Sequence, residues 1–415
     1  MASTALDFDL KEGGRYGIGA SWIPPAAGRP DVDIDLQCVV INSAGTIIDC
    51  AYYNNLKAVR SITHSGDELA ANASSKDSHL QEVIWVNFNK LPETVGLLLF
   101  VVAAYSGGQL KDVGDGMLRL FKDDASNELL AFQMERSGAS VAIVAAMFRD
   151  WRLSGSSQWK FRRFALPAER GQHFMDILPS ICRLTRSFIP HAPEKQQVAF
   201  AMEKGAVLDL PQGLSKITVG LGWDVDDGNC DLDVSAVLMN SAGAFVEVVF
   251  FGRLECKEHG ILHTGDNLTG EGEGDDEQII VELKGVGSQV TQIFFVVNIY
   301  EKGKTFAQVA NPYCRVVDDS TRAELCRYEL RDAGSESGLI IARIVREVGD
   351  RWGFHALGLP CRGNMYKDSL PQILELAGFN TASLRHAGSG QVAHATVVAA
   401  TKISEAPKSS ACLIL

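Results

Sequence analysis

The chain has 415 residues, 46% of them hydrophobic and 22% charged, an ordinary globular composition that excludes a disordered or fibrous protein. Its length suits two or three domains. With 39 basic and 51 acidic residues the formal net charge is −12, which argues against nucleic acid as the main partner and favours cations. Nine cysteines lie scattered without a C-x-x-C pair, a pattern that suits a reducing compartment rather than a disulfide scaffold. The N-terminus lacks both a basic start and an apolar run, and the longest apolar stretch, Val95 to Ala104, is about half a membrane span. The expectation is a cytoplasmic protein.

In chain order, the first half is repeated by the second. Asp33-Ile34-Asp35 and Asn42-Ser43-Ala44-Gly45 recur as Asp231-Leu232-Asp233 and Asn240-Ser241-Ala242-Gly243. His64-Ser65-Gly66-Asp67 recurs as His263-Thr264-Gly265-Asp266, and Phe100-Val101-Val102 as Phe295-Val296-Val297. Arg170-Gly171, Asp176 and Leu178-Pro179 match Arg362-Gly363, Asp368 and Leu370-Pro371. The order is kept while the offset drifts by only a few residues, so the chain is a duplicated domain. The copies run over 10–187 and 200–378, joined by a linker at 188–199 that holds Pro190 and Pro193. Residues 379–415 are rich in Ala, Gly and Ser and read as a flexible tail.

Within the second copy the stretches from Ile217 to Leu221, Leu232 to Met239, Val246 to Phe251, Gln278 to Leu283, Gln292 to Tyr300 and Leu339 to Val348 are β-rich and bounded by Gly, Asn and Asp. This predicts a mainly all-β protein: two tandem β-sandwiches, with a short helix near Lys367 to Leu376.

Two stretches of that copy are unusually acidic. Gly222 to Asp233 carries five aspartates, and Gly265 to Glu277 carries six carboxylates. Like charges so placed repel unless something neutralises them, and short oxygen-rich loops flexed by glycine suit a hard cation such as calcium. Asp231 and Asp233, two apart on a strand, share a face. An EF-hand does not fit: counted from Asp224, the glycine position holds Asn229 and the twelfth holds Ser235. Zinc does not fit either, since Cys230, Cys256, His259 and His263 lack finger spacing.

The string from Gly222 to Ser235, the segments Gly265 to Gly270 and Gly274 to Glu277, and the later Phe294 to Tyr300, Arg327 to Leu330 and Trp352-Gly353-Phe354 together resemble the TerD family. This is the tellurium-resistance and stress-response family, which includes cAMP-binding proteins of slime moulds. The resemblance implies a β-sandwich that holds two calcium ions between its loops and has no known catalytic activity. It makes Asp224, Asp231, Asp233, Asp266, Asn267, Asp275, Asp276 and Glu277 the candidate ligands, with carbonyls near Gly270 as further donors. In the first copy Ile23 stands where the second has Asp224, and Leu80-Gln81-Glu82 stands where the second has Asp275-Asp276-Glu277. That copy is expected to bind calcium weakly or not at all.

The last four residues, Cys412-Leu413-Ile414-Leu415, match a C-a-a-X prenylation motif of the geranylgeranyl type. With few basic residues near it, one lipid would anchor only reversibly. His64 and His263 read as turn or core histidines, because no Ser or Cys nucleophile signature accompanies them. No phosphate-cradling glycine loop occurs, and cyclic-nucleotide binding rests on family analogy alone. The expected function is a non-enzymatic, calcium-binding, stress-response interaction or scaffold protein with an unidentified protein partner. The alternatives are a calcium-dependent, prenylated membrane-associating module and, remotely, a metal-dependent hydrolase.

Overall fold

The computed structural model describes residues 7–11, 13–23, 32–66, 80–104, 108–149, 158–168, 171–196, 198–225, 231–265, 274–330, 334–347, 350–378 and 395–399. Strands dominate, and the chain divides into two compact units, the first made of Met1–Val198 with the later segments Glu347–Arg351 and Val392–Ala399, the second of the rest.

In the first unit one sheet runs Phe8–Leu10, Trp159–Pro167, Val141–Arg149, Val95–Ala104, Ile34–Asn42, Ile47–Ala51. The other runs Asp124–Gln133, Gly114–Lys122, Arg15–Ile23, Glu82–Asn87, Ile62–His64, Lys57–Ala58. Their facing residues, among them Tyr16, Ile18, Leu36, Leu98, Phe100 and Phe161, form one continuous core. Glu82–Asn87 shows the strict in–out alternation of a strand with one buried face, whereas Val95–Ala104 is buried on both faces because a helix covers the second.

That helix, Leu178–Phe188, starts with Pro179 in its first turn, where a missing N–H costs nothing. The turn before it is held by the Asp176 carboxylate, which accepts the amides of Gln172 and His173. The residues expected as a linker pack onto this unit. Gln196 accepts the Ile47 amide through Oε1 and donates to the Gly45 carbonyl through Nε2, both at 2.7 Å.

The second unit repeats the plan. One sheet runs Val207–Asp209, Trp352–Cys361, Gly338–Arg346, Gln292–Ile299, Leu232–Met239, Phe245–Val249. Its outer face, through Val237, Met239, Phe294, Val296 and Ile340, packs against Tyr366, Ile373 and Ala377 of the helix Tyr366–Gly378. The opposing sheet carries Glu255–Cys256, Ile261–His263, Glu277–Val281, Ile217–Val225, Val309–Asp318, Ala323–Glu329 and Val198–Met202 in that order. The last two strands run parallel and all other pairs named here are antiparallel.

Two differences from the sequence expectation have physical causes. Val309–Asp318 forms a strand although it contains Pro312, because the proline sits at a bulge where the register with Ile217–Val225 shifts between Gly222 and Asp224. Within the stretch expected to be a flexible tail, Ala395–Ala399 is a strand, consistent with its β-branched Thr396, Val397 and Val398.

Candidate metal centre

The acidic residues of the second unit fall on both sheets. Asp231 and Asp233 do share a face, as their spacing requires. The register pairs Asp233 with Asn298, Ser235 with Val296 and Val237 with Phe294, so the shared face is the outer one that carries the helix. Asp233 is buried there. The Asp231 amide donates to both carboxylate oxygens of Glu301, at 3.0 and 3.2 Å, and its carbonyl accepts the Tyr300 amide.

The other set sits where Ile217–Val225 and Glu277–Val281 meet. Asp224, at the exposed end of its strand, accepts a hydrogen bond of 2.8 Å from the Asn311 side chain. Asn311 holds a left-handed φ of 48° at the bulge described above, a conformation asparagine tolerates better than most residues. The Asp276 carboxylate accepts the Trp223 amide at 2.9 Å, and the Asp276 amide donates to the Leu221 carbonyl at 2.8 Å.

Partial burial pushes the Asp276 carboxyl up to about 6. The negative charges of Asp275, Asp224 and Glu277 add to that rise, while the Trp223 hydrogen bond opposes it. Asp276 thus carries the added charge of three neighbouring carboxylates, and their oxygens are donor chemistry that fits a hard cation.

Glu277 and Asp275 are engaged by the protein itself. Glu277 is fully buried. Its Oε2 accepts the Val234 amide at 2.7 Å, tying one sheet to the other, and lies 3.6 Å from His263 Nε2. His263 Nδ1 in turn accepts the Gly265 amide at 3.1 Å, which fixes the start of the second acidic loop. The first unit repeats this device: Glu82 Oε2 accepts the Leu36 amide at 2.7 Å, His64 Nε2 lies 3.4 Å from Glu82, and His64 Nδ1 accepts the Gly66 amide. Both histidines are thus buried structural links. Asp275 Oδ1 accepts Arg315 Nε at 2.7 Å, and its Oδ2 accepts Gln278 Nε2 at 3.1 Å.

Asp266, Asn267 and Cys412 lie outside the described residues, as does the carbonyl of Gly270. Among the described residues no group of three or more His, Cys, Asp or Glu side chains is assembled as a metal cluster. Asp224, Asp275 and Glu277 each act electrostatically on Asp276, while Asp231 and Asp233 stand on the outer face of the facing sheet. Sequence reasoning missed Asn311, Tyr313, Arg315 and Glu301. The usable signal was the arginine in Val309–Asp318, a basic residue in a strand that has to pass beside the acidic loops. A cavity of about 910 Å³ adjoins the site and shares Asn311 and Tyr313 with it.

A model of the TerD domain matches residues 5–177 and again 198–369. The chain belongs to the TerD family. It carries two tandem TerD copies, and the internal repeat read from the residues is that duplication. Among curated relatives, the tellurium resistance protein TerZ of Serratia marcescens is 40% identical over 193 residues, which cover 44% of this chain and 95% of the relative. The stress response protein SCP2 of Bacillus subtilis is 42% identical over 186 residues, covering 39% of this chain and 92% of the relative. A solved homologue of a telluride resistance protein from Streptomyces coelicolor is 22% identical, with a TM-score of 0.34, and covers 40% of this chain and 98% of its own.

The two TerD copies use matching backbone contacts at this edge. In the first, Gln81 takes the place of Asp276: its Oε1 accepts the Trp22 amide, its own amide donates to the Ala20 carbonyl, and its Nε2 adds a bond to the Trp22 carbonyl at 2.7 Å. Leu80 takes the place of Asp275 and Ile23 that of Asp224. No helix among the described residues is long and apolar enough to cross a membrane.

Proposed function

We propose that this TerD protein is a non-enzymatic, calcium-binding interaction module linked to stress response, with calcium held by the second copy. The reading rests on one observation above the rest: Asp276 is held by a backbone hydrogen bond among Asp224, Asp275 and Glu277, where both acidic loops meet the sheet. The first copy keeps the hydrogen bond and drops three of those charges, so the fold does not need them. The stress-response role is inferred from the relatives, a tellurium resistance protein and a stress response protein.

Asp224 and Asp276 would hold the ion from the sheet, with Asp266 and Asn267 of the second loop, and Asp231 and Asp233 would serve the first acidic loop. A bound calcium ion supplies the positive charge that lets the two acidic loops approach. Asn311 and Trp223 orient the Asp224 and Asp276 carboxylates before binding, which lowers the ordering cost at the moment of capture.

Ligand linkage gives the test. With calcium at a hundred times its Kd the folded state gains about 2.7 kcal/mol, read as a rise in melting temperature over EDTA. The rise should be absent in Asp276→Asn and in Asp266→Asn. A rise that persists in both variants refutes the site.

A further inference from the structure

We propose that Asp275, although it belongs to the acidic string, is a positioning residue and not an ion ligand. Its ion pair with Arg315, supported by Tyr313, sets the place where the second acidic loop re-enters the sheet. The inference rests on the calcium reading above and deepens it.

Both oxygens of Asp275 are already used. The side chain is 1% exposed, Oδ1 lies 2.7 Å from Arg315 Nε and 3.2 Å from the Tyr313 hydroxyl, and Oδ2 accepts Gln278 Nε2. A carboxylate whose charge is matched by a buried guanidinium and whose two oxygens each accept a nitrogen donor has little left for a cation. The Tyr313 hydroxyl donates to the Gly274 carbonyl at 2.6 Å, so the residue just before Asp275 is gripped as well.

Behind this contact the network continues into the next strand. Arg315 Nη1 donates to Glu324 at 3.2 Å, Arg327 donates twice to Glu324, and the Arg327 guanidinium stacks 4.1 Å over the Tyr313 ring. The strand Ile217–Val225 makes room for the contact: Gly220 pairs with Arg315, and a Cβ there would overlap the Asp275 carboxylate.

The first copy supplies the contrast. Gly19 pairs with Arg119 as Gly220 pairs with Arg315, and Ser21 pairs with Met117 as Gly222 pairs with Tyr313. There Leu80 fills the space over Gly19, and Arg119 turns to Ser21 and to Glu128 at 3.2 Å. The arginine is common to both copies. The clamp exists only in the copy with the acidic loops, which assigns it to those loops and not to the sheet.

Simple electrostatics and the clamp make opposite predictions for Arg315. Removing a positive charge beside a cation site should tighten binding, whereas removing the clamp should weaken it. The test is calcium titration by calorimetry on the full chain, with hydrogen exchange of residues 274–278 in EDTA. Arg315→Met should lower calcium affinity about tenfold or more, as loss of a supporting residue behind a metal ligand does, with the number of ions per chain unchanged. Arg315→Lys should recover most of the loss, and Asp275→Asn should cost much less than Asp276→Asn.

The proposal is overturned if Asp275→Asn removes an ion from the stoichiometry, or if Arg315→Met tightens calcium. Should the unaltered protein take up no calcium, the calcium reading itself falls. Exchange in EDTA then decides the clamp: faster exchange at 274–278 in Arg315→Lys or Arg315→Met supports it, and unchanged exchange in both overturns it.

Discussion

The same sheet edge occurs twice in this chain, once charged and once neutral. In the second copy Asp224, Asp275 and Asp276 stand where the first has Ile23, Leu80 and Gln81. Two hydrogen bonds just before Glu82 and Glu277 recur in both copies: the Trp22 and Trp223 amides to the side chains of Gln81 and Asp276, and the amides of Gln81 and Asp276 to the Ala20 and Leu221 carbonyls. The comparison separates two roles that overlap in one short string. Hydrogen bonding at this edge belongs to the fold and is kept by either an amide or a carboxylate, while charge is the variable part and is concentrated in one copy.

The largest expected effect lies where the copies agree. Glu82 and Glu277 are fully buried and tie one sheet to the other through the Leu36 and Val234 amides. Glu82→Ala or Glu277→Ala leaves a buried amide without its partner and opens a cavity between the sheets, and should each cost about 3 kcal/mol in denaturant unfolding. Equal costs in the two copies would make the glutamate a scaffold residue; a cost confined to Glu277 would tie it to the charged loops instead.

The first copy carries an acid sensitivity of its own. His173 is fully buried, and burial lowers its imidazole to about 3. The unfolded chain therefore binds a proton that the folded chain refuses, so this contribution to stability is intact above about pH 6.5 and is lost as the pH falls toward 3. At pH 5 the loss should be roughly 2 kcal/mol, and His173→Gln should flatten the profile between pH 5 and pH 7. A profile unchanged by the substitution would remove His173 as its cause.

The next effect lies where the copies differ. Asp276→Gln installs the residue of the first copy, keeps the bond to Trp223, and should weaken calcium by at least about tenfold, or 1.4 kcal/mol, with the calcium-free stability kept or raised. The smallest effect is its pH counterpart. Because the Asp276 carboxyl is raised to about 6, a proton competes with the ion, and affinity should fall by up to tenfold per pH unit below that value. The sign reverses for the calcium-free protein: its folded form holds that proton more tightly than the unfolded chain does, so this group favours folding as the pH drops from about 6 toward 4. Calorimetric titrations from pH 5 to pH 8, with Asp276→Gln as the flat control, check both statements.

Much of this was legible in the residues. The duplication, the sandwich class and the strands Leu232–Met239 and Gln292–Ile299 follow from repeated motifs and continuous apolar runs. The strand Val309–Asp318 was not found, because Asn311 and Pro312 look like a break and become a bulge only when a neighbouring strand supplies the register. The acidic strings were visible, but their division was not. Spacing gives Asp231 and Asp233 a common face without saying that it is the outer one. Nothing in Asp275-Asp276-Glu277 tells that the first pairs with Arg315, the second accepts the Trp223 amide and the third bridges the sheets. Those assignments depend on partners about 40 to 50 residues away in sequence, which only the folded topology brings near.

The central claim, that calcium binds to the charged copy, is tested most directly by making the second copy resemble the first. Calcium would be titrated by calorimetry into the full chain and into the triple variant Asp224→Ile, Asp275→Leu, Asp276→Gln. The unaltered protein should bind calcium tightly and the variant not at all, with both melting in EDTA at similar temperatures. Tight binding that survives all three substitutions would contradict that claim.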